Sequence, residues 1–120
     1  MTSLRPGVRA VRRPAAEVAA DARRQGAAVH RIGPAATKAE LLDDFGRALR
    51  FPDWVGRNWD ALSDALRDLS WLPAEPHVVV WTGASKTDPT AYEIALAVLQ
   101  EATATSAGTA RPLTVLLTSD

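Results

Sequence analysis

Asp60 and Asp64 stand four residues apart in the stretch FPDWVGRNWDALSDAL, residues 51–66. On a helix that spacing places both carboxylates on one side, a turn apart, where like charges repel by roughly 0.2–0.5 kcal/mol. Three kinds of chemistry could use such a pair. A general acid and base could hydrolyse a glycoside, but the two carboxyls must then flank the sugar, and a single helix is a poor scaffold for that. A divalent cation could bridge them, but two aspartates without a histidine or third ligand make a poor site. A cationic partner could meet them from outside, through the directional, often bidentate pairing of arginine with carboxylate. A purely structural role is also open. Asp60 falls in the first helical turn, where the dipole favours a negative charge. Asp64 can pair with Arg67 at surface energies of about 0–1 kcal/mol. Trp54, on the turn just before, favours the docking reading, because aromatic groups beside charges mark binding surfaces. The alternative for Trp54 is a ring folded down over the core.

Other catalytic constellations are missing from the sequence. His30 and His77 are the only histidines, and each lies in or beside an expected strand, where a structural role is the ordinary one. There is no G-x-S-x-G, no H-E-x-x-H and no glycine-rich phosphate loop. Gly83-Ala84-Ser85-Lys86-Thr87 lacks the spacing of a nucleotide loop. With no cysteine there is no disulfide, thiolate metal site or cysteine nucleophile. No enzyme activity, cofactor or metal is expected.

The elements that must hold Asp60 and Asp64 follow from local signals. Residues 1–13 read as a loose leader, broken by Pro6 and Gly7. Residues 14–25 read as a short Ala- and Arg-rich helix stopped by Gly26. Residues 27–32 make a strand. Thr37 and Glu40 have the spacing of a capping box, and Leu41, Leu42, Phe45, Ala48 and Leu49 form one apolar stripe behind it. Pro52 bars continuation. Gly56 is expected to supply a positive φ in the turn. Asn58 caps a helix over about 59–69, with Trp59, Leu62, Ala65, Leu66 and Leu69 on its buried face. HVVVW, residues 77–81, reads as a strand buried on both faces. Asp88 and Pro89 open a helix over about 89–105, and residues 113–117 form the last strand. Strands alternating with helices predict a small parallel sheet in an α/β domain.

Composition sets further bounds. The 120 residues suit one domain with its own core. No apolar run of about 18 residues occurs, so no membrane span is expected. The arginines near the start are followed by no apolar h-region, so no secretory signal is expected. The net charge of zero hides an asymmetry. Residues 1–36 hold seven Arg against Glu17 and Asp21, and residues 37–120 hold seven Lys/Arg against twelve Asp/Glu. The larger, acidic part suits a basic partner rather than nucleic acid. The scattered arginines of the head read as a solvated face.

FPDWVGRNWDALSDAL also resembles the signature of the barstar family: Leu/Phe-Pro-acid-aromatic-x-Gly-x-Asn-x-Asp-Ala-Leu-x-Asp. A looser similarity runs from about Ala27 to Ser119, through HVVVW, VLQEA and LTVLLTS. It divides the chain into an N-terminal extension over residues 1–26 and a barstar-like domain over residues 27–120. Barstars are intracellular inhibitors of secreted, guanyl-preferring ribonucleases of the barnase type. The resemblance implies a three-stranded parallel sheet packed with helices, here with an extra N-terminal helix. It implies a cytoplasmic, non-catalytic inhibitor that forms a 1:1 complex with such a ribonuclease, its carboxylates standing where RNA phosphates would lie. On this resemblance Trp54 would plug the guanine-side pocket, and Gly56 would let the loop backbone approach closely. Asp60 and Asp64 would be acidic contacts, with Asp64 in the phosphate-binding centre against the nuclease's arginines and catalytic histidine. Glu101 would be an outlying acidic contact on the late helix. Val55, Asn58 and Ser63 complete the implied face. Two positions depart from the pattern. Ser63 stands where the family's namesake has a tryptophan, and Arg57 where an acidic residue is familiar. The alternative is therefore the same fold and face turned to a different basic protein or toxin.

Overall fold

A computed structural model describes all 120 residues. The apolar run that begins at His77 becomes the middle of its sheet. In chain order the elements are β1 (Gly7–Ala10), α1 (Ala15–Arg24), β2 (Ala28–Ile32), α2 (Lys38–Ala48), α3 (Trp59–Asp68), β3 (His77–Thr82), α4 (Pro89–Ser106) and β4 (Leu113–Thr118). The strands are all parallel, in the order β1-β4-β3-β2. Side chains alternate across the sheet. Val79, Trp81, Leu113 and Val115 face a core shared with α2, α3 and α4. Val78, Val80 and Leu116 face a second core, closed by Ala15, Val18, Ala19 and Ala22 of α1. Burial on both faces is why β3 is continuously apolar rather than alternating.

The sheet has four strands rather than the expected three. The fourth is β1, in the segment expected to be loose, and it pairs with β4 in the register Val8 to Val115. It is short, lies at an edge, and follows Pro6, whose missing amide is tolerated there. Residues 1–26 thus supply one strand and one helix to the same sheet. The residues before β1 are tied down as well. The Thr2 amide donates to Asp21 Oδ2 at 2.5 Å, and Arg13 lies 3.4 Å from the same oxygen. The backbone amide and then the hydroxyl of Thr2, aided by Arg13, hold the Asp21 carboxyl down at about 2.

Helix starts follow the expected caps. Thr37 Oγ1 accepts from the Glu40 amide at 3.2 Å. The Glu40 carboxylate reaches back to the Ala36 amide, one residue earlier than a capping box would have it. Asn58 Oδ1 accepts from the Ala61 amide at 2.7 Å, and Asp88 Oδ2 from Ala91 at 3.0 Å. Caps of this kind are worth about 1 kcal/mol each.

The two histidines form one unit between β2 and β3. His30 Nδ1 is 3.2 Å from the Ala48 carbonyl, His30 Nε2 is 3.0 Å from His77 Nδ1, and His77 Nε2 is 2.9 Å from the Pro73 carbonyl. Burial, then the positive charge of His77, hold His30 below the ordinary 6.5; Arg50 acts the same way, while the Ala48 carbonyl and Glu75 oppose it. The unfolded chain therefore binds a proton here before the folded one does. Stability from this site is complete above pH 6.5 and is lost as pH falls below it. Urea midpoints measured from pH 8 to pH 5.5 should decline on the acid side, and His30→Gln should flatten that slope. Asp21 titrates well below this window.

Candidate functional site

The loop between α2 and α3 is braced at both ends. Left-handed residues close both helices, Arg50 after α2 (φ 55°) and Leu69 after α3 (φ 50°). The Phe51 amide donates back to the Gly46 carbonyl at 2.8 Å, and Val55 N to Pro52 O at 3.0 Å closes a turn. Trp71, just beyond α3, donates its indole N–H to the Leu49 carbonyl at 2.9 Å. Its ring meets Phe51 edge-on at 5.8 Å and Trp54 edge-on at 6.4 Å. Trp54 leans on Trp71 but is not folded down: it is 75% exposed. An indole left in water needs an explanation, since large apolar groups at the surface mark interaction sites when they cluster with others. Trp81 lies within the larger core, and Trp59 and Trp71 pack at its edge.

Gly56 does not have the positive φ expected of it. Its requirement is space. A Cβ there would lie 3.1 Å from Asn58 Nδ2 and 3.5 Å from the Ala61 Cβ, pressing on the residue that caps α3. Val55 is half-buried under the loop, and Asn58 is exposed apart from its cap.

Asp60 and Asp64 both point to solvent from α3. Asp60 makes no ion pair. Asp64 pairs with Arg67, Nη2 to Oδ1 at 2.8 Å, yet its side chain remains 76% exposed. The other guanidinium nitrogen of Arg67 lies 3.9 Å from Glu101 Oε1 on α4, so Arg67 draws Glu101 towards Asp64. Ser63, half-buried between them in sequence, offers its carbonyl to Arg67 Nε at 3.3 Å. No hydrogen bond or ion pair joins Trp54 to these acids; what they share is the loop and the helix it leads into. Arg57, which departs from the signature, is ion-paired with Asp43 of α2. The reach of Arg67 to Glu101 and the pairing of Arg57 with Asp43 are not visible in sequence spacing, because both join different elements.

The face presents charge and one exposed ring to solvent. It carries two exposed acids a turn apart, a third on the neighbouring helix, and an exposed indole. A cavity of about 860 Å³ lies elsewhere, among Arg12, Arg13, Tyr92 and Asp120, and shares no residue with this face. No three His, Asp or Glu side chains converge as metal ligands.

A parallel sheet with helices on both faces, bearing an acidic helix next to an exposed aromatic loop, defines a small α/β domain. Residues 15–118 match the model of the Barstar family, described as barnase inhibitor, and the chain belongs to that family. The match takes in α1 as well as the loop and α3. No curated protein sequence matches the chain closely enough to serve as a relative.

Proposed function

We propose that the chain is a non-catalytic, cytoplasmic inhibitor of a secreted guanyl-preferring ribonuclease, bound 1:1. The supporting observation is Trp54, held upright and exposed beside the outward acids of α3, in a chain of the Barstar family. Asp64 enters the phosphate-binding centre, Asp60 and Glu101 meet surrounding cations, and the Trp54 ring fills the base-side pocket. Val55, Gly56, Asn58 and Ser63 shape the contact around them. Carboxylates in these positions stand in for RNA phosphates and pair with groups that hold phosphate. The unpaired negative charge also steers a basic enzyme towards the face. No helix is long and apolar enough to cross a membrane.

Titrating the protein into a guanyl-type ribonuclease from the same source tests this. Activity should fall linearly and reach zero at one equivalent. Undiminished activity at excess protein would overturn the reading. A second reading keeps the face and changes the partner to another basic protein or toxin. Ser63 favours it, because a small half-buried residue there offers a partner no aromatic rim.

A further inference from the structure

Arg67 sits lower than the acids it touches. Its side chain is 39% exposed, against 76% for Asp64 and 68% for Glu101. It meets one oxygen of each carboxylate, at 2.8 Å and 3.9 Å, and anchors its Nε on the Ser63 carbonyl of its own helix. One cation is thus shared by two acids on neighbouring helices, and the second oxygen of each carboxylate remains unengaged by it.

We propose that Arg67 is a built-in counter-ion: it stands in for the partner's cation in the free protein, lowers the repulsion among the acids, and slows capture of the basic partner. This rests on reading the face as a docking surface for a basic protein. Asp64, Arg67 and Glu101 together carry one net negative charge; without the guanidinium they would carry two. A cation approaching Asp64 meets Arg67 at like sign, close to the carboxylate and inside a Debye length of about 8 Å. Two routes are open to it. It can take the free Asp64 oxygen, or Arg67 can let go of Asp64 and close the 3.9 Å gap to Glu101. The second is a hand-over between two acids that the helices already hold within reach of one guanidinium. Exposed i,i+3 pairs are weak enough for this exchange. Removing the guanidinium therefore leaves the fold standing and strengthens the attraction felt at a distance.

Stopped-flow association with the guanyl-type ribonuclease, over a series of salt concentrations, reads this directly. Arg67→Gln should associate about three- to tenfold faster at low salt and show a steeper fall with added salt. Arg67→Lys, which keeps the charge, should behave as the wild type does. Glu101→Gln, which removes the other station, should associate more slowly and with a shallower salt slope. An unchanged rate and slope in Arg67→Gln would overturn the proposal. So would slower association in that variant, which would make Arg67 a clamp positioning Asp64. If the wild type does not bind the ribonuclease, the functional reading fails on its own. A hexa-arginine peptide then tests the counter-ion by calorimetry: tighter binding by Arg67→Gln supports it, and equal or weaker binding overturns it.

Discussion

Asp64→Ala is expected to weaken ribonuclease inhibition by about 2–5 kcal/mol, the cost of truncating one side of a desolvated charge pair. That is roughly 30-fold to several thousandfold in the dissociation constant. The loss should fall mainly on the dissociation rate, since a central contact is removed rather than a rim charge. The free protein should hardly notice. Asp64 pairs with Arg67 at the surface, a contact worth about 0–1 kcal/mol. Against that, alanine is the better helix former, and the repulsion from Asp60 disappears. The melting temperature should therefore stay within a few degrees of the wild type. Inhibition measured beside thermal melts separates the two effects. A variant that melts far lower would show that Asp64 serves the fold, and the phosphate-mimic reading would fall with it.

Trp54→Ala is expected to raise the inhibition constant by about 2 kcal/mol or more, as truncation of a central aromatic anchor does. The cost to the free protein is limited to the edge contact with Trp71, about 0.5–1.5 kcal/mol. Trp54→Tyr keeps a ring on the same prop and should retain most of the affinity. Here too the comparison with melting decides. If alanine and tyrosine bind equally well, the exposed ring is not an anchor. Fluorescence gives an independent readout: Trp54 is by far the most exposed of the indoles, so complex formation should shift emission to the blue in the wild type and much less in Trp54→Ala.

Signals carried within one element were readable from sequence. The apolar run at residues 77–81, the Thr37, Asn58 and Asp88 caps, and the outward placement of Asp60 and Asp64 all depend on periodicity or on a side chain and an amide three residues on. What escaped depends on segments that meet only after folding. β1 is an edge strand flanked by prolines, with Val8 its one apolar residue turned to the larger core, so it gives almost no period-two signal. The His30–His77 contact and the bridge from Arg67 to Glu101 join elements far apart in the chain, and the Arg57–Asp43 pair folds the loop back onto α2. Gly56 misled for a different reason. A glycine in a turn suggests unusual backbone, whereas here the constraint is a crowded neighbour, Asn58.

The brace that Trp71 makes across the loop bears on how much a partner must spend to seat itself. The α2 end, the Trp54 turn and the end of α3 are knitted together before any encounter, by an indole bond to Leu49 and two edge-on ring contacts. Little disorder remains there to be frozen out, and freezing side chains and loops is one of the main penalties of association. Docking should accordingly be lock-and-key, with backbone shifts under about 1 Å, and loosening Trp71 should cost affinity although it touches no partner.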